Sequence, residues 1–85
     1  MKLVNIGYGN LINASKVVSV VSPDAAPIKR LVADTRDSGK LIDATGGKKT
    51  RAVIVAESGH IILSALTLET VQTRFAEGAE SEEEL

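Results

Sequence analysis

The sequence of 85 residues has no cysteine, and this absence excludes several chemistries at once. Without thiols the chain forms no disulfide and offers neither a thiolate nucleophile nor a cysteine-based metal site. Its one histidine, His60, has no second histidine or clustered carboxylate at ligand spacing, so we expect no metal and no cofactor. Only Ser58 lies near this histidine, and no acid is placed to orient the pair, so we do not expect an enzyme.

Long apolar runs are also absent. No stretch approaches the roughly 18 residues of a membrane-spanning helix, and the start, "MKLVNIGYGN", lacks the apolar region of a secretory leader. We therefore expect a cytoplasmic protein with no membrane partner.

The formal net charge of −1 conceals an uneven distribution of charge. Five of the eleven acidic residues lie in the last nine positions, which leaves six acids against ten Lys and Arg in residues 1–76, a net charge of about +4. We expect residues 77–85 to form a disordered acidic tail, which either keeps the protein soluble or competes with an anion for the basic surface.

The pattern of apolar residues predicts one small domain over residues 1–76. "KLVNI" and "VVSVV" are typical of strands, and the helical spacing that follows, with Pro27 in the first turn and Gly39 as a stop, predicts a helix over about Ala26 to Ser38. "KLIDAT", "TRAVIVAE" and "HIILSAL" predict three successive strands in a meander. Thr67 is placed to cap a second helix that ends at Gly78.

This order predicts an α+β fold with one mainly antiparallel sheet and two helices. Strands such as "AVIVA" are apolar at nearly every position, so both faces of the sheet must be covered. Two short helices hardly suffice for that, and we expect a neighbouring subunit to cover what remains.

Three cations mark the predicted turn between the first two strands of the meander. Lys48 and Lys49 lie at its tip and Arg51 at the start of the next strand, where they can reach a phosphate backbone together. Such a turn could also serve only to prevent pairing at the sheet edge. Further cations favour the phosphate interpretation: Lys16, and Lys29 and Arg30 near a helix N-terminus, where the helix dipole favours an anion.

Four segments resemble one known family of small bacterial regulators. "NIGYGN", "VSPDAAPIKRL", "DTRDSGKLIDATGGKKTRAVI" and "HIILSALTLETV" look like the extracellular matrix regulatory protein RemA family, and the resemblance covers about residues 3–75. The acidic tail lies outside it.

The resemblance implies a DNA-binding transcriptional regulator with a LytTR-like fold, which assembles as a ring of about seven or eight identical subunits. It implies activation of biofilm-matrix or osmotic-stress genes and a location at the nucleoid. By position, DNA contact falls on Lys48 and Lys49 with Arg51 beside them and on Lys16, and a sensitive assembly position falls on Pro27.

Two departures from the family pattern bear on recognition. Positions 16, 48 and 49 are lysine where the family commonly has arginine, and Gly46 replaces a common histidine. Because lysine lacks the planar donor fork of arginine, we expect phosphate contact, with at most a modest preference for A/T-rich grooves.

The alternative function is a structural or adaptor ring that binds an acidic protein through the same surface.

Overall fold

The structure is a computed structural model that describes residues 2–84, with side chains through Glu77. Six strands, two helices and a short 3-10 turn at Ala14–Lys16 follow one another along the chain. The strands are β1 (Leu3–Asn5), β2 (Leu11–Asn13), β3 (Val17–Val21), β4 (Leu41–Ala44), β5 (Ala52–Ala56) and β6 (Ile61–Ser64), and the helices are α1 (Ala26–Ser38) and α2 (Leu68–Glu84). The predicted α+β class with two helices is confirmed.

Helix α1 has the predicted bounds. Pro27 lies in its first turn, where the missing N–H costs no hydrogen bond. Gly39 ends the helix at a φ of 81°, and its N–H donates to the carbonyl oxygen of Thr35. The local signals at both ends were therefore sufficient to place this helix.

The single predicted sheet is wrong, because the strands divide into two. β1 and β2 form a two-stranded antiparallel hairpin, and the other four strands form a mixed sheet in the order β3-β5-β6-β4. The two glycines and the positive φ of Tyr8 between β1 and β2 make a tight turn, which pairs these strands with each other.

The predicted meander of β4, β5 and β6 is also wrong. β4 pairs in parallel with β6, whereas β5 pairs antiparallel with β6, so β6 separates the two strands that we expected to form a hairpin. The burial of the strands explains this order: β5 and β6 are mostly buried and occupy the centre, while the half-exposed β4 suits an edge. The segment of residues 45–51 consequently crosses the end of β6.

Alternate residues of the four-stranded sheet enter two cores. On one face Val53, Ile61 and Leu63 pack against Leu31 and Val32 of α1. On the other face, Ile54 and Ile62 of the sheet form a core with residues of the β1–β2 hairpin and of α2. The hairpin contributes Val4 and Ile6, and α2 contributes Val71. The hairpin therefore provides cover that the sequence analysis had assigned to a neighbouring subunit.

Helix α2 continues to Glu84, so the predicted end at Gly78 is wrong. A glycine inside a helix costs only about 1 kcal/mol relative to alanine, and the surrounding alanine and glutamate are good helix formers. The side chains of residues 78–85 lie outside the described part, and the division into a domain and a disordered acidic tail stays a prediction. Within residues 2–84, neither helix has the length and apolar character needed to cross a membrane.

The turn of the β1–β2 hairpin packs against the crossing segment. Gly46 has a φ of 63°, and a Cβ added there would lie 2.9 Å from Cδ1 of Tyr8. Gly47 has a φ of 83° but faces open space. Gly46 thus has a packing requirement as well as a conformational one.

We expect Gly46→Ala to lower the free energy of unfolding more than Gly47→Ala, by about 1 kcal/mol, because both substitutions strain a left-handed backbone but only the first also displaces the Tyr8 ring. Urea unfolding of both variants at one protein concentration measures the difference. Equal losses would show that the ring moves aside at no cost.

Candidate nucleic-acid interface

The crossing segment begins at a carboxylate that fixes its first turn. The Asp43 carboxylate accepts hydrogen bonds from Oγ1 of Thr45 at 2.6 Å and from the Thr45 N–H at 2.9 Å. The N–H of Lys48 then donates to the carbonyl oxygen of Thr45 at 3.1 Å, which closes the next turn. At the far end, the N–H of Arg51 donates to the carbonyl oxygen of Ser64 at 2.8 Å. The segment is therefore held at both ends, so the backbone positions from which its cationic side chains extend are fixed.

The same contacts lower the pKa of Asp43. Hydrogen bonds from the Thr45 side chain and backbone hold the pKa of Asp43 below its usual value, and the positive charge of Arg36 adds to this effect. The carboxylate thus remains charged at neutral pH and keeps accepting both hydrogen bonds.

Two of the predicted cations converge on the start of α2. Lys49 and Arg51 line a cleft of about 230 Å³ together with Thr67 and Leu68, which begin that helix. Oγ1 of Thr67 accepts a hydrogen bond from the N–H of Thr70 at 3.2 Å, as predicted for a cap. The positive end of the helix dipole therefore adds to the two side-chain charges.

A second cleft of about 180 Å³ adjoins the first, and the two share Pro23 and Thr50. Lys29 and Arg36 of α1 line it. Lys29 was predicted from the sequence but Arg36 was not, although a spacing of seven residues places both on one side of a helix. That spacing was the signal that could have found it.

The other predicted cations take different positions. Lys48 is exposed in the crossing segment, and Arg30 is exposed on α1, but neither lines these two clefts. Lys16 lies at the opposite end of the sheet, where its ammonium is 3.1 Å from the Glu57 carboxylate. Glu57 and Arg51 flank the five residues of β5 and are therefore six residue rises apart along the strand, about 20 Å. Within one subunit, Lys16 does not join the cluster.

An apolar cleft of about 290 Å³ lies on the face that the hairpin covers only in part. Its lining includes Leu11 and Ile42, which are 58% and 48% exposed, and the buried Ile62 at its floor. Large apolar side chains left open to water at this scale are typical of a surface that meets another protein.

His60 also lies at this cleft, where its Nδ1 is 2.7 Å from Oγ of Ser58. The two residues are neighbours in the exposed β5–β6 turn, so this contact is a local turn interaction. Among the described residues, no group of three potential metal ligands comes together.

Comparison with known proteins identifies close relatives. The model of the RemA-like family, described as extracellular matrix regulatory protein A-like, matches residues 3–75. A protein of Geobacillus kaustophilus is 57% identical over 74 residues, which cover 87% of this chain and 85% of that protein. A protein of Cyanothece is 56% identical over 75 residues, with 88% and 82% covered. A protein of Dictyoglomus thermophilum is 57% identical over 84 residues, with 99% and 98% covered. All three are named as candidate regulatory proteins.

We expect Thr45→Val to raise the pKa of Asp43 towards its usual value of 3.8, because the hydroxyl that stabilises the carboxylate is lost. Because folding lowers the pKa of Asp43, the ionised carboxylate stabilises the folded state. This contribution is fully present above the pKa of the unfolded state and is lost as the pH falls through the pKa of the folded state. The variant should therefore lose less stability than the parent on acidification below about pH 4.

A carboxyl-detected NMR titration of Asp43 measures the pKa shift directly. Thr50→Val is the matched control, because Thr50 lies on the same segment but donates no hydrogen bond to Asp43. An unchanged pKa in Thr45→Val would contradict the assignment of this hydroxyl as the main cause.

Proposed function

Because this chain belongs to the RemA-like family, we propose that it is a DNA-binding transcriptional regulator that acts as a ring-shaped homo-oligomer and not as an enzyme. Its site of action is then the nucleoid in the cytoplasm, with activation of biofilm-matrix or osmotic-stress genes as the outcome. The observation that carries the proposal is the convergence of Lys49 and Arg51 on the first turn of α2, with Lys48 exposed beside them.

The chemistry of this cluster suits a phosphate backbone. Each lysine is a flexible point charge that can meet a phosphate at many angles, whereas Arg51 offers a planar fork of donors. The partial positive charge of the helix N-terminus adds to these side-chain charges. The resulting local potential attracts a phosphate but does not distinguish one base from another. The preference for A/T-rich duplexes in this proposal comes from groove shape, through arginine, and is therefore modest.

The monomer has features that support a ring. β3 and β4 are the edges of the four-stranded sheet as the structure describes it, and they run in the same direction but differ in sequence. Unlike surfaces on one subunit suit head-to-tail association, which closes into a ring when the rotation permits. The apolar cleft with Leu11 and Ile42 provides a surface whose burial would stabilise such contacts.

A ring also strengthens weak contacts with DNA. One subunit with a few lysines binds a duplex weakly, and salt opposes each phosphate contact. Repetition of the same cluster around a ring turns several weak contacts into one strong interaction, provided that the DNA can reach them together.

We expect Lys48→Ala and Lys49→Ala, combined, to weaken binding to every duplex and to reduce the slope of log K against log salt by about 0.9 for each lost phosphate contact. Fluorescence anisotropy with a labelled duplex at several salt concentrations measures this slope. Light scattering should show an unchanged oligomer, because both side chains are exposed.

Lys40→Ala is the matched control, since this exposed lysine lies near the β5–β6 turn and its ammonium donates to the carbonyl oxygen of Ser58. An unchanged slope in the double variant would show that these two residues make no phosphate contact. Binding of an acidic protein that persists after nuclease treatment, with no binding of DNA, would instead favour the adaptor ring.

We expect Ile42→Lys to reduce the molar mass of the oligomer in light scattering, because it places a charge in the apolar cleft. The side chain is 48% exposed in the single subunit, so the fold itself should persist in circular dichroism. Leu3→Lys is the control, since Leu3 is 53% exposed but does not line the cleft. An oligomer of unchanged mass in Ile42→Lys would place the subunit contacts elsewhere.

A further inference from the structure

One side of α1 carries charge towards the crossing segment. Lys29, Val32 and Arg36 are spaced by three and four residues and therefore lie on one side of the helix. Val32 packs into the core beneath α1, and the two cations line the cleft on either side of it. The packing of Val32 thus fixes the direction in which Lys29 and Arg36 leave the helix.

The two basic clefts form one continuous surface. Pro23 and Thr50 belong to both, so the path runs from the start of α2, past Lys49 and Arg51, to Lys29 and Arg36. Seven residues of helix place Lys29 and Arg36 about 10 Å apart along the axis of α1, which corresponds to the rise of about three nucleotides. The surface has the length needed to follow a nucleic-acid backbone beyond a single phosphate.

The four cations on this surface have no ion-pair partner within 4.0 Å among the described residues. Lys16, at the other end of the sheet, is paired with Glu57. Two carboxylates lie close to the surface: Asp24 lines the first cleft, and Asp43 interacts with Arg36 at longer range. Four cations and one carboxylate therefore line the two clefts, and this positive charge is not neutralised by ion pairs among the described residues.

We propose that Arg36 contacts DNA and that Lys29 and Arg36 extend the phosphate-binding surface of Lys49 and Arg51 along α1. The inference rests on the proposed function and adds a residue that lies outside the crossing segment. Arg36 has the donor fork that Lys48 and Lys49 lack, so it can hold a phosphate through two hydrogen bonds. It therefore fixes the orientation of the duplex, whereas the lysines chiefly add attraction.

The test compares Arg36→Gln and Lys29→Gln with the full parent chain by anisotropy of a labelled duplex across a range of salt. Each substitution should reduce the slope of log K against log salt by about 0.9 per contacting subunit, which corresponds to roughly eightfold weaker binding at ~0.1 M salt for one contact. Lys40→Gln, which removes the same charge near the β5–β6 turn, should leave both quantities unchanged.

Thermal unfolding and light scattering establish that each variant keeps its fold and its oligomer. If Arg36→Gln and Lys29→Gln bind as the parent does while the Lys48 and Lys49 double variant binds weakly, the extended surface is wrong and the proposed function stands. If the parent itself binds no duplex, both proposals are overturned.

Discussion

The position of β6 between β4 and β5 is the constraint on which the basic surface depends. Because β4 and β6 are parallel, their carboxyl ends lie at the same end of the sheet, and α2 begins just beyond β6. The chain leaving β4 must then cross the end of β6 to enter β5, and it does so beside the first turn of α2. The hydrogen bond from Arg51 to Ser64 holds the crossing in place. A simple β4–β5 hairpin would have placed the same lysines at this end of the sheet without crossing the end of β6.

This topology also shows what the sequence could reveal and what it could not. Proline and glycine at the ends of α1 are local signals, and they placed this helix correctly. The apolar patterns of β5 and β6 indicated burial, but burial does not specify which strands are neighbours. The glycines before Lys48 favoured a hairpin, and only the pairing of β4 with β6 excludes it. The seven-residue spacing places Arg36 on the same side of α1 as Lys29, but only the fold brings that side next to Thr50 of the crossing segment.

The two ends of the four-stranded sheet differ in whether their cations are in ion pairs. At one end, Lys16 is neutralised by Glu57, while at the other the cations are without ion-pair partners among the described residues and face a helix N-terminus. Helix α2, with 17 residues, extends about 25 Å from that N-terminus. Glu69 lies in its first turn, and the run of acids that begins at Glu77 follows about 14 Å further along the axis.

The opposite end of the sheet lies next to the surface that we propose for subunit contacts. Lys16 lies beside the apolar cleft, so the surface that we assign to subunit contacts also carries the cation that is distant from the cluster. In the proposed head-to-tail ring, unlike surfaces of neighbouring subunits meet, and the apolar cleft that Lys16 lines would lie at such a contact. Lys16 would then lie apart from the cation cluster of its own chain but at a subunit boundary of the proposed ring.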